Sequence, residues 1–132
     1  FICASVSGAC NTLATAPCCA NVKIATFTGP GTFTVNCIAG AAENNLVSYV
    51  VVAGGAGGGG GQPNWTQAGG GGAGGYREVV SPSSPYSGSP LNGYSNAPNR
   101  ITVTAQGYPI VVGGGGTAGL GYPGWWYFKL YP

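Results

Sequence analysis

Two glycine blocks, residues 54–61 interrupted only by Ala56 and residues 69–75 interrupted only by Ala73, restrict this chain more than any other feature. The first leaves directly from the apolar run Val50-Val51-Val52-Ala53, with no linker residue between. Glycine loses more backbone entropy on ordering than any other residue, so fixing the thirteen in these blocks costs roughly 15–25 kcal/mol. A fold that orders them must recover this through dense backbone hydrogen bonding and close main-chain packing. A fold that does not has long flexible loops. The direct exit from a strand-like run, repeated where residues 113–116 follow Val111-Val112, favours order.

Charge narrows the choices further. Lys23, Arg77, Arg100 and Lys129 stand against Glu43 and Glu78, for a net charge of +2, and there is no His and no Met. So few scattered charges form no basic stripe, which argues against a nucleic-acid partner. They also argue against disorder driven by charge repulsion. Colloidal stability usually rests on charge. Surface polarity must therefore come from Ser, Thr, Asn and attached glycans, or from burial against other subunits. The 132 residues suffice for one domain with a core of its own. No apolar run reaches the roughly 18–20 residues that span a bilayer. Beginning at Phe1 rather than Met, the chain reads as a processed form that is secreted or held at the cell surface.

The cysteines point to the same oxidising setting. Cys3, Cys10, Cys18, Cys19 and Cys37 all fall in the first 37 residues. Without a C-x-x-C pair or a histidine they match neither a zinc site nor a thioredoxin-like motif, and a disulfide-stapled segment is expected. Their odd number leaves one thiol free or paired to another chain. Cys18 and Cys19 are expected to take different partners, because a bridge between neighbours is strained. The domain organisation is read as a cysteine-rich N-terminal extension, residues 1–21, ahead of a glycine-rich β domain, residues 22–132.

No helical period or helix start signal occurs anywhere. Residues 22–28 and 32–35 flank Gly29-Pro30-Gly31 and predict a hairpin. Residues 46–53 predict a strand covered on both faces. Residues 76–80, 100–105 and 108–112 predict further strands. Between them, residues 81–99 hold four prolines and six serines, a loop too long to be a mere connection. The chain closes on a bulky strand, Trp125-Trp126-Tyr127-Phe128-Lys129-Leu130-Tyr131, with Trp126 and Phe128 on one side and Trp125 on the other. About seven strands and no helix give an all-β sandwich.

Few residues here are equipped for chemistry. Residues 55–60 fit G-x-G-x-x-G formally, but any long glycine run does, and Gln62-Pro63-Asn64 follows where a phosphate-binding helix would start. Glu43 and Glu78 sit at predicted strand ends, where solvated charges are ordinary, and no histidine serves a serine or cysteine nucleophile. No catalytic residue, metal or cofactor is expected, and the chain does not read as an enzyme. Asn64-Trp65-Thr66 is an N-glycosylation acceptor, and Ser81, Ser83, Ser84, Ser87 and Ser89 form a proline-spaced, O-glycosylation-like tract.

The order of segments carries a resemblance. Thr26-Phe27-Thr28 and Gly31-Thr32-Phe33-Thr34-Val35 lead to Ser48-Tyr49-Val50-Val51-Val52-Ala53-Gly54-Gly55. Then come residues 69–75 with Tyr76-Arg77-Glu78, Tyr108-Pro109-Ile110-Val111-Val112-Gly113-Gly114-Gly115, and a close on Lys129-Leu130-Tyr131-Pro132. Over residues 24–132 this is similar to the glycine-rich domain of phage tail-fibre and bacterial surface proteins, and more distantly resembles the glycine-rich extracellular region of certain receptor tyrosine kinases. The resemblance implies a jelly-roll-like β-sandwich from which glycine segments emerge as polyproline-II-type helices packed side by side. It also implies an extracellular, non-catalytic role in adhesion or assembly.

Such a helix has three residues per turn and no internal hydrogen bonds, so every N–H and C=O is free to pair sideways. The expected function is the structural subunit of a secreted homopolymeric fibre, its partners identical chains. Phe1, Ile2, Trp125, Trp126 and Phe128 are the candidate assembly residues, and Phe1-Ile2 opens a segment suited to strand addition on a neighbour. An adhesin or receptor-binding module is the alternative.

Overall fold

A computed structural model describes residues 2–60 and 69–117. They are all-β, with short 3₁₀ turns at Ala42–Asn45, Gly93–Ser95 and Ala97–Asn99. The strands are β1 (Cys3–Val6), β2 (Thr12–Ala16), β3 (Cys19–Thr26), β4 (Gly31–Cys37), β5 (Leu46–Val47), β6 (Tyr49–Val52), β7 (Tyr76–Val79), β8 (Ile101–Thr102) and β9 (Gly107–Ile110). They form a three-stranded sheet β1-β4-β9 and the pairs β2-β3, β5-β8 and β6-β7. The described residues divide into two compact units, one of residues 2–51 with 76–113 and one of residues 52–60 and 69–75 with 114–117.

β4 is the central strand of the largest sheet because its alternation puts Val35 inward, at 2% exposure. β1 pairs with it antiparallel from Cys3↔Cys37 to Val6↔Phe33. β9 pairs along its other edge from Gly31↔Ile110 to Thr34↔Gly107, with the Phe33 and Tyr108 rings 6.5 Å apart. Pro109, which has no N–H to donate, is accommodated on an outer strand of this sheet. A disulfide joins Cys3 to Cys37 across the β1–β4 pair.

The expected hairpin over residues 22–35 does not form: β3 pairs with β2, and β4 with β1 and β9. The turn that closes β2 onto β3 is Pro17-Cys18, with Ala16 opposite Cys19. It carries none of the Asn-Gly chemistry that marks a hairpin in sequence. The Gly29-Pro30-Gly31 segment instead docks on Asn11. Asn11 Oδ1 accepts from the Thr28 and Gly29 amides at 3.1 and 3.2 Å, and Nδ2 donates to the Ser7 and Pro30 carbonyls at 3.0 and 3.2 Å. Cys10, next to Asn11, is in a left-handed conformation, φ 64°, which is uncommon outside glycine.

The strand expected over residues 46–53 breaks at Ser48 into β5 and β6, and it is not covered on both faces. Val50, Val51 and Val52 are 54%, 55% and 69% exposed, and among the described residues β6 belongs to a two-stranded pair. The strands expected over residues 76–80 and 108–112 form in shorter versions, β7 as Tyr76–Val79 and β9 as Gly107–Ile110. Of residues 100–105, only Ile101 and Thr102 are strand, although Val103 is buried. The aromatic strand predicted over residues 125–131 lies outside the described residues.

Val35, Val79, Val80, Val103 and Ala16 are the buried apolar residues described. Around this small core, asparagine side chains act as substitute backbone. Asn45 is buried; its Oδ1 accepts from Ala39 N at 2.7 Å and its Nδ2 donates to the Ala39 carbonyl at 3.0 Å. Asn92 does the same to Val80, donating and accepting at 2.9 Å, and Asn99 donates to the Gly93 carbonyl. The serine/proline loop is therefore stitched down along its length. Among the described residues no buried side-chain nitrogen or oxygen lacks a partner.

With so small a core, the covalent staple carries a large share of stability. The Cys3–Cys37 bridge closes a loop of sequence separation 34, which restricts the unfolded chain by roughly 3–4 kcal/mol. Replacing both cysteines by serine is expected to lower the unfolding free energy by about that amount in chemical denaturation. An unchanged midpoint would show that the bridge is dispensable.

Candidate functional site

The glycine blocks are ordered against each other with a three-residue repeat. Ala53 N donates to Gly75 O at 2.8 Å, Ala56 N to Gly72 O at 2.9 Å, and Gly59 N to Gly69 O at 2.8 Å. The donors advance by three residues as the acceptors retreat by three, so the segments run antiparallel with the period of a polyproline-II helix. A β ladder would repeat every two residues. The third glycine group joins the other side of the same central segment, Gly116 N donating to Gly55 O at 3.0 Å. None of these glycines has a left-handed φ. The need for glycine here is therefore about space between backbones rather than dihedral freedom.

That need is unequal along the blocks. A Cβ on Gly71 would fall on the Ala56 carbonyl, and one on Gly74 on the Ala53 carbonyl; the two sites are one helical turn apart. A Cβ on Gly54 would stand 3.2 Å from Gly115 Cα, and one on Gly116 would meet the Ala56–Gly57 backbone. By contrast, among the described residues nothing lies within 4 Å of the Cβ position of Gly69, Gly70, Gly72, Gly75, Gly113, Gly114 or Gly115. The alanines that interrupt the blocks, Ala56 and Ala73, are exposed. The array thus has an inner line where backbones touch and an outer surface of bare main chain.

The remaining candidates distribute as follows. Ile2 is half-buried just before β1, while Phe1, Asn64, Trp125, Trp126 and Phe128 lie outside the described residues. In the serine tract Ser83 and Ser87 are exposed and Ser81, Ser84 and Ser89 half-buried. Ser81 and Ser83 share a hydroxyl–hydroxyl bond of 2.8 Å, and Ser84 Oγ accepts from Tyr86 N at 3.2 Å.

Glu43 is exposed on the Ala42–Asn45 turn, but Glu78 is not the solvated strand-end charge the sequence indicates. It sits in β7 at 6% exposure, where its carboxylate accepts from Ser89 N at 3.1 and 3.2 Å and from the Ser89 hydroxyl. A buried carboxylate is tolerated when hydrogen bonds satisfy it, and these bonds tie the serine/proline loop to β7. Nothing in the sequence flags this pairing, because the partner lies eleven residues further on in a flexible-looking tract. Among the described residues no three His, Cys, Asp or Glu side chains gather as a metal site.

Of the five cysteines, Cys3 and Cys37 are bonded, while Cys10, Cys18 and Cys19 are thiols. The expectation that Cys18 and Cys19 point to different partners is overturned. The tight Pro17-Cys18 turn brings their sulfurs to 2.9 Å, and Cys18 Sγ lies 3.8 Å from the Tyr86 hydroxyl.

Interleaved strands and glycine segments, with the glycine positions set by backbone contact, are the arrangement of a glycine-rich β domain. The glycine-rich domain family matches residues 27–125 of the chain, and the protein belongs to it. No curated protein and no solved structure matches the chain. Among the described residues no helix is long and apolar enough to cross a membrane.

The division between inner and outer glycines is directly testable. Gly71→Ala and Gly74→Ala each force a methyl onto a backbone carbonyl and are expected to destabilise by roughly 1–3 kcal/mol. Gly70→Ala and Gly72→Ala add the same methyl to open space and are expected to be neutral or slightly stabilising, since alanine restricts the unfolded chain. Thermal unfolding of the four variants checks this, and equal effects at all four sites would contradict it.

Proposed function

We propose that this protein is the structural subunit of a secreted, extracellular homopolymeric fibre, joined by packing between glycine segments and by strand pairing. The observation that carries the reading is the surplus of outer glycines. Within one chain nothing described requires glycine at residues 70, 72, 75 or 113–115, neither sterically nor through φ. Bare backbone at these positions is what a second backbone needs in order to approach, as the inner line of the array does. An identical chain supplies such a surface with the matching three-residue period.

Other features support the same reading. Val50, Val51, Val52 and Val111 are 54%, 55%, 69% and 86% exposed, and assembly would cover them. Six charges give little repulsion between copies. A heterologous contact repeated head to tail yields an open filament. Both outer strands of the β1-β4-β9 sheet present edges, and an open edge is where a neighbour's strand adds. The disulfide fits an oxidising, extracellular compartment. Glycans at Asn64 and on the exposed Ser83 and Ser87 would supply surface polarity that charge does not. The resemblance to tail-fibre and surface proteins agrees with a role in assembly rather than catalysis.

Negative-stain electron microscopy of the native protein tests this, with long regular fibres expected. The combined variant Gly70→Ala, Gly72→Ala, Gly114→Ala is expected to fold with the stability of the parent yet give compact particles. Native protein that stays compact and monodisperse at all concentrations would overturn the reading.

A further inference from the structure

Within the Pro17-Cys18 turn, the two neighbouring thiols form a site that the glycine array and the fibre reading leave unused. Cys18 is exposed and Cys19 half-buried, and their sulfurs are 2.9 Å apart, with the Cys19 thiol donating to Cys18 Sγ. The Tyr86 hydroxyl, from the serine/proline loop, stands 3.8 Å from the same sulfur. The hairpin fixes this geometry. Ala16 and Cys19 face each other across the turn, Ala16 is buried, and the β2–β3 ladder runs on to Thr12↔Thr26. We propose that Cys18 and Cys19 constitute a vicinal dithiol that closes reversibly to a disulfide by exchange with low-molecular-weight disulfides.

The chemistry balances as two successive exchanges. The Cys18 thiolate attacks one sulfur of the small disulfide, forming a mixed disulfide and releasing one thiolate. Cys19, losing its proton, then attacks Cys18 Sγ; the Cys18–Cys19 bond forms and the second thiolate leaves. Two electrons pass from the protein thiols to the small disulfide, and the two protons given up by Cys18 and Cys19 are taken by the departing thiolates.

The order of attack follows from the surroundings. The hydrogen bond from Cys19, and next that of Tyr86, hold the Cys18 thiol below its ordinary range, while the same contact with Cys18 holds Cys19 above its own. The exposed sulfur is thus the one that ionises first, and the thiolate is the nucleophile. Cys19, already in contact, is placed to resolve the mixed disulfide.

Adjacent α-carbons are about 3.8 Å apart, closer than the usual span of roughly 4.4–6.8 Å between bridged residues. A bond between neighbours is therefore strained, and strained, exposed disulfides are the labile ones. The Cys3–Cys37 bridge, between residues paired on neighbouring strands, is the staple. The pairing also accounts for the odd cysteine: with Cys18 joined to Cys19, Cys10 remains as the single thiol.

Equilibration of the full chain in mixtures of oxidised and reduced glutathione, then alkylation and non-reducing peptide mapping, tests the proposal. Cleavage after Leu13 and Phe27 separates the pair from Cys10. The expected result is loss of both alkylation sites together from the peptide holding Cys18 and Cys19, in mixtures that leave Cys3–Cys37 bonded and Cys10 alkylated. Cys18→Ser and Cys19→Ser, at an exposed turn, are each expected to trap a glutathione adduct on the remaining sulfur. In the reduced protein near neutral pH, Cys18 is expected to alkylate several-fold faster than Cys19. Independent alkylation of the two throughout, or either sulfur bonded to Cys10 or to another chain, would overturn the proposal. These outcomes are the same whether or not the protein forms fibres.

Discussion

Close approach of backbone to backbone, repeated every third residue, is the constraint on which the glycine-rich unit depends. The bonds from Ala53, Ala56 and Gly59 to Gly75, Gly72 and Gly69 require the two segments to lie nearer than side chains allow. Gly71 and Gly74 fall at the points of tightest contact, each over an alanine carbonyl. Neither segment has hydrogen bonds of its own, as a helix would, so each is ordered only by a neighbour. The two segments run antiparallel and hold each other from the Ala53–Gly75 bond to the Gly59–Gly69 bond.

A second constraint is the scarcity of charge, and asparagine answers it. Asn11, Asn45, Asn92 and Asn99 each carry a donor and an acceptor, the same equipment as a peptide group. Each uses one or both to tie down backbone that no strand partners. Glu78 serves the same end with Ser89. This stitching is why a loop of serines and prolines is held to β7, and why the tyrosine it carries, Tyr86, reaches the Cys18 sulfur.

Sequence reasoning succeeded where local pattern and global fold agree. The absence of any 3.6-residue period gave the all-β class, and the abrupt exit of glycine from valine indicated ordered segments. It failed where partners are distant or turn chemistry is unusual. Residues 3–6 and 12–16 are too small and polar to read as strands, yet β4 and the Pro17-Cys18 turn make them so. Glycine-proline-glycine reads as a hairpin turn, but Asn11 recruits it elsewhere. The candidate surface was legible as glycine-rich; which glycines are inner and which outer was not. All glycines look alike until a neighbouring backbone is placed beside them.

Amide hydrogen exchange resolved at single residues tests the central claim of three-residue order most directly. Slow exchange is expected at Ala53, Ala56, Gly59 and Gly116, whose amides donate across the array, with fast exchange at the amides of Gly54, Gly57 and Gly58 between them. Uniformly fast exchange through residues 53–59, or protection at every second residue as in a β ladder, would contradict the account.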